Sequence, residues 1–189
     1  MAEKKTIPEL KHLDHVLVSA TAIRKRVNAL AAKINRDYRG RDLTVIAIVN
    51  GALIFTADLL RQLRTPLRLD CLRASSYHSG THAGGKPVIV DNLKLDISGQ
   101  QVLLVDDILD TGNTLAAVRQ LLLAKGAASV RTCVLLDKKG RRGVPFEAEY
   151  VGFEIPDEFV VGYGLDFNER YRNLPCIGVL KPKFYVGKK

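Results

Sequence analysis

Residues Gln101–Leu115 read QVLLVDDILDTGNTL, and this stretch decides the fold. Val102–Val105 is a short, wholly apolar run. In a chain that alternates such runs with helical patterns, it marks a parallel strand covered on both faces. Asp106 and Asp107 place two carboxylates at the strand's carboxyl end, and the turn Asp110–Thr114 opens a helix over Leu115–Lys125. Open α/β sheets bind ligands beyond the carboxyl ends of their strands, so a site is expected here.

The residue types say what that site holds. Gly112 lets the backbone approach a ligand closely. Thr111 and Thr114 supply hydroxyls, and the free amides of a helix start favour a phosphate. Carboxylates beside a phosphate would repel it unless they bind sugar hydroxyls, face a metal or accept a proton. The combination points to a phosphorylated sugar. A merely capped turn would need one Asp or Thr; here three Asp and two Thr fall within nine positions.

Working outward, Leu43–Val49 (LTVIAIV) and Ser129–Asp137 (SVRTCVLLD) read as further buried strands. Ile23, Val27, Leu30, Ala31 and Ile34 give one face of a helix that starts at Ser19 or Thr21, with Gly40 as its left-handed cap. Asn50–Gly51–Ala52 is a turn, followed by a helix over Ala52–Leu63 and a strand over Leu67–Ala74. Ser75–Pro87 (SSYHSGTHAGGKP) reads as a mobile loop. Its Gly80…Gly85–Lys86 spacing approaches a P-loop, but Pro87 replaces the hydroxyl residue and a strand-like run follows, so we reject that reading. His78 and His82 are spaced like metal ligands but have no helix to hold them and no evident third ligand. Val88–Asp91 and Leu93–Ile97 read as a hairpin flanking the loop. Lys138–Arg142 (KKGRR) is a basic turn, Tyr150–Ile155 a strand, and Pro175–Leu180 the last strand. The fold expected is one α/β domain over residues 1–189, a central mostly parallel sheet flanked by helices, with a small hood from the N-terminal arm and residues 155–189.

Composition bounds the function. The chain has 189 residues, 47% hydrophobic and 26% charged, with a net charge of +9. That size suits one full core. The charge allows either a nucleic acid or a polyanionic small substrate. Lysines at both ends (Lys4, Lys5, Lys181, Lys183, Lys188, Lys189) read as solvated tails. Cys71, Cys133 and Cys176 form no CxxC and read as buried free thiols of a reducing cytoplasm. No apolar signal core opens the chain, and no stretch is long enough to span a bilayer, so neither export nor a membrane is expected.

VLLVDDILDTGNTL resembles the signature of type I phosphoribosyltransferases, which holds 5-phosphoribosyl-1-pyrophosphate. The resemblance is clearest at residues 43–60, 101–125, 133–142 and 150–172. FEIPDEFVVGYGLDFNERYR is similar to the base-binding segment of hypoxanthine-guanine phosphoribosyltransferases. Those enzymes of purine salvage transfer ribose 5-phosphate to N9 of a 6-oxopurine, giving IMP or GMP and pyrophosphate.

The resemblance implies the following roles. Asp106 and Asp107 face the ribose hydroxyls, directly or through magnesium. Asp110 is the general base near N7, and Asp110, Thr111, Gly112, Asn113 and Thr114 wrap the 5′-phosphate. Lys138 donates to O6, Phe159 stacks on the base, and Val160 meets its edge through the backbone. Asp166 coordinates a pyrophosphate-bound magnesium (Mg2+). Arg172 and the turn with Asn50 and Gly51 hold pyrophosphate, a turn that often carries a non-proline cis bond. Ser76 and Tyr77 sit on a closing loop. From the residues alone, Phe159 reads as core, Asp166 as a turn cap and Arg172 as a surface ion pair. Two departures bear on pyrophosphate: Asn50 stands where many relatives have lysine, and Ala52 where a second glycine is common. A homodimer or homotetramer is expected. The rival reading is a nucleic-acid-binding regulator that uses phosphoribosyl pyrophosphate as effector. The presence of Asp110, Lys138 and Asp166 argues against it.

Overall fold

The computed structural model describes residues 7–75, 88–90 and 93–186. Ser76, Tyr77, His78, His82 and the remainder up to Pro87 lie outside them, whereas Ser75, expected in that loop, ends the strand Leu67–Ser75. The elements in order are β1 (Leu13–Val18), α1 (Ala20–Asp37), β2 (Leu43–Val49), α2 (Leu53–Leu60), β3 (Leu67–Ser75), β4 (Val88–Val90), β5 (Gln101–Leu109), α3 (Asn113–Ala124), β6 (Ser129–Asp137), β7 (Tyr150–Glu154), β8 (Val160–Val161) and β9 (Ile177–Leu180).

A six-stranded sheet runs β4-β3-β2-β5-β6-β7, parallel except for β4. β5 is central and buried along Val102–Val105 because helices cover both faces. Leu103 and Val105 pack with Ile23, Val27 and Ile34 of α1 and Phe55 and Leu59 of α2. Val102 and Leu104 point the other way, against Leu115, Val118 and Leu122 of α3. The period-two alternation of a strand thus feeds two cores at once. Ser19 caps α1, its Oγ accepting from the Ala22 amide at 3.2 Å. A second sheet, β1-β9-β8, is antiparallel and closes over a third core of Leu13, Val161, Tyr171, Leu174, Cys176 and Leu180.

Several expectations are corrected. β5 continues to Leu109, so Asp106 and Asp107 lie inside the strand's last turn of pleat, and α3 starts two residues early, at Asn113. α2 is shorter than Ala52–Leu63. Leu93–Ile97 is not a strand: β4 pairs with β3 instead, Ala74 opposite Ile89. The amides that a hairpin would have used go elsewhere, because Asp70 Oδ2 accepts those of Lys94 (2.6 Å) and Leu95 (2.9 Å). Cys71 is only half-buried, whereas Cys133 and Cys176 are buried. Lys181 is not a solvated tail: its Nζ donates to the Lys11 carbonyl at 2.9 Å.

Candidate active site

The turn after β5 opens α3, with the Asn113 amide donating to Thr111 Oγ1 at 3.4 Å. Gly112 is the N-cap of α3, with φ +84°, and it offers no side chain to the first-turn amides. A Cβ there would press on Phe146 and Val144, each at 3.2 Å. The Thr111 carbonyl accepts from the amides of Gly143 (2.8 Å) and Val144 (3.3 Å), which stitches the turn to the loop after β6.

Asp106 is buried, and its Oδ1 accepts the Asp107 amide at 2.9 Å. Burial, then the neighbouring Asp107 charge, pushes the Asp106 carboxyl well above the usual carboxylate range. Burial raises Asp107 too, against its hydrogen bonds and the Arg172 charge. The Asp107 carboxylate lies against Gly51, where any Cβ would overlap it.

The structure brings Asp110 and Lys138 to neighbouring strand ends. The Lys138 amide donates to the Leu109 carbonyl at 2.9 Å. Lys138 is buried, its Nζ 3.6 Å from Asp157 Oδ1. Arg141 spans the gap, with Nε 3.0 Å from Asp110 Oδ1 and Nη1 3.2 Å from Asp157 Oδ1. Phe159 is not core: it is 38% exposed. Tyr185 stacks on it at 4.6 Å between centroids, and Phe167 meets it edge-on at 5.7 Å. Val160 is buried in β8, opposite Val179.

A second group lies around the turn after β2, whose Val49–Asn50 peptide is cis. The Gly51 carbonyl packs against Gly164, again where a Cβ would overlap it. Arg172 Nη1 donates to the Gly164 carbonyl at 2.8 Å, and Nη2 is 2.9 Å from Asp166 Oδ1. The other Asp166 oxygen accepts the Glu169 amide at 2.9 Å. Asn50, Gly51, Asp107, Gly164, Asp166 and Arg172 therefore form one connected wall.

No three His, Cys, Asp or Glu side chains gather as a metal cage among the described residues. Adjacent Asp106 and Asp107, the first buried and the second half-buried, nonetheless fit a hard cation that takes one or two carboxylates and fills its shell with water and other oxygen ligands. The sequence reading missed Arg141, Arg142, Asp157 and Tyr185. The available signal was position alone, just beyond β6, β7 and β9.

The phosphoribosyl transferase domain family matches residues 17–168. The hypoxanthine-guanine phosphoribosyltransferase of Staphylococcus aureus is 43% identical over 173 residues, 92% of this chain and 97% of that protein. The chain belongs to the hypoxanthine-guanine phosphoribosyltransferase family. The crystal structure of a hypoxanthine phosphoribosyltransferase from Staphylococcus aureus superposes with a TM-score of 0.91 and 41% identity, covering 96% of this chain and 99% of the other. The sheet order and flanking helices described above are thus the type I phosphoribosyltransferase fold. The bifunctional protein TilS/HprT of Listeria innocua is 42% identical over the same length, and there the chain spans 27% of the relative.

Proposed function

We propose that this protein transfers ribose 5-phosphate from 5-phosphoribosyl-1-pyrophosphate to hypoxanthine or guanine, giving IMP or GMP and pyrophosphate in purine salvage. The observation that carries the reading is the placement of Asp110 and Lys138 at adjoining strand ends beside the α3 turn. It supports an enzyme over a nucleic-acid regulator.

In this reading the first-turn amides of α3 and Thr111 and Thr114 hold the 5′-phosphate. Asp106 and Asp107 hold the ribose hydroxyls. Phe159 carries the purine on its face, and the Val160 backbone lines its edge. Lys138 donates to O6, and Asp110 accepts the proton from N7. A buried ammonium meets an acceptor on a 6-oxopurine but a donor on adenine, so adenine is rejected. Magnesium, when bound by Asp106, Asp107 or Asp166, would neutralise the leaving pyrophosphate, which Arg172 and the Asn50–Gly51 turn also hold. Three free cysteines support a reducing, cytoplasmic setting. No described helix is long and apolar enough to cross a membrane. An assembly of two or four copies belongs to the same reading and is read directly by sedimentation.

The test is steady-state turnover of phosphoribosyl pyrophosphate and magnesium with hypoxanthine, guanine, xanthine, adenine and uracil, beside Asp110→Asn. We expect 6-oxopurines to react and adenine and uracil not to. The variant should lose about 10²–10⁴-fold in kcat while still binding phosphoribosyl pyrophosphate. Binding without turnover of any base would instead favour the regulator.

A further inference from the structure

We propose that Arg142 is a positioning residue that sets the separation between Asp110 and Lys138, an inference that rests on the roles just given to those two side chains. Arg142 is largely buried, its side chain 16% exposed. Its Nη1 donates to three carbonyls, of Leu109 (3.2 Å), Asp110 (2.6 Å) and Lys138 (3.3 Å). Nε donates to the Phe146 carbonyl at 3.1 Å, and Nη2 to Asp137 Oδ1.

All of those acceptors but the Phe146 carbonyl lie at or just past the ends of two strands. Leu109 and Asp137 are the last register partners of β5 and β6. Beyond them the ladder stops, although the Leu109 carbonyl still accepts the Lys138 amide at 2.9 Å and the Lys138 carbonyl the Arg141 amide at 3.2 Å. One planar fork adds a further donor to each and reaches the Asp110 carbonyl as well. It binds the backbone that carries the proton acceptor and the backbone that carries the purine donor at the same nitrogen. Asp137 is fully buried, and its Oδ1 anchors the other arm of the fork while Oδ2 has no hydrogen-bond partner among the described residues. A guanidinium spans this set because its five N–H groups are fixed in a plane; a lysine ammonium is a single point and cannot. The adjacent Arg141 does something different, since it is 47% exposed at its side chain and pairs with the Asp110 carboxylate rather than its backbone.

The inference separates from simple stabilisation. If Arg142 only holds the fold, its loss costs thermal stability and leaves kcat per folded molecule alone. If it sets the distance between two reacting groups, a displacement of about 1 Å costs on the order of 10²-fold in rate.

The experiment compares wild type, Arg142→Lys and the neutral pair Asp137→Asn with Arg142→Gln, each assayed well below its own Tm. We expect Arg142→Lys to lose about 10²-fold in kcat with hypoxanthine while the Kd for phosphoribosyl pyrophosphate stays within about 3-fold. Introduced into Asp110→Asn, the same change should cost under about 10-fold, because the group it positions is already gone. Unchanged kcat, equal losses in both backgrounds, or failure of both designs to fold would each overturn the inference and leave Arg142 a stability residue. An inactive wild type would instead overturn the proposed function, and this inference with it.

Discussion

Arg141 Nε lies 3.0 Å from Asp110 Oδ1, so the carboxylate given the role of proton acceptor is already ion-paired. The same guanidinium reaches Asp157, and Asp157 in turn neighbours Lys138 Nζ. Two carboxylates and two cations alternate along the place proposed for the purine. A base that brings O6 to Lys138 and N7 to Asp110 meets Arg141 already on one oxygen of that carboxylate.

Replacing Arg141 by alanine therefore removes a competitor. The pair is partly exposed and worth at most about 1 kcal/mol. The KM for hypoxanthine should fall by up to about 5-fold and kcat should stay within about 3-fold, read from steady-state kinetics. A hundredfold loss of kcat would show that Arg141 takes part in the transfer itself.

The buried Asp106 carboxyl binds its proton more tightly in the folded than in the unfolded chain. Folding is therefore penalised as pH rises from the ordinary value of 3.8 through the raised one, and the penalty is absent below that window. Asp106→Asn should raise Tm at pH 7 by a few degrees, at about 2–4 °C per kcal/mol for a chain of this size, with the gain shrinking toward pH 4. Calorimetry across that range checks it. A constant difference at every pH would mean that the charge is not the cause.

Gly164 has φ +108° and sits on the Gly51 carbonyl. Alanine there is strained twice, by its backbone and by overlap with the turn after β2. Gly164→Ala should cost about 1–3 kcal/mol of stability. Because Arg172 binds the Gly164 carbonyl, pyrophosphate affinity should fall with it. Thermal unfolding and calorimetric titration with magnesium pyrophosphate read the two effects.

Burial pushes the Cys133 thiol far up and leaves it closed to solvent. Cys71 is half-buried. In the native protein a thiol-specific reagent should label Cys71 first, with Cys133 and Cys176 reacting only after denaturation. Peptide mapping of the labelled chain decides it; equal labelling of all three in the native state would contradict the packing.

The parallel core was legible because its strands are apolar on both faces, and the turn after β5 because its Asp, Thr and Gly types cluster within a few residues. Leu93–Ile97 misled because LKLDI alternates as strands do, while its amides are claimed by Asp70, a residue more than twenty positions earlier. KKGRR hid two unlike arginines for the same reason. A basic run reads as solvated, and the acceptors that bury Arg142 are strand-end carbonyls brought together only by the sheet. Tyr185 was invisible because stacking on Phe159 depends on the route of β9.

The smaller sheet joins opposite ends of the polypeptide, Leu13 beside Leu180 and Val16 beside Gly178. A ribosome releases all six strands of the larger sheet once Glu154 has emerged, but β1 has no partner until Ile177–Leu180 follow. β8, next to Phe159, also waits for β9. Chain synthesis therefore delivers the α3 turn, Asp110 and Lys138 first, and Phe159, Val160 and the sheet that carries them last.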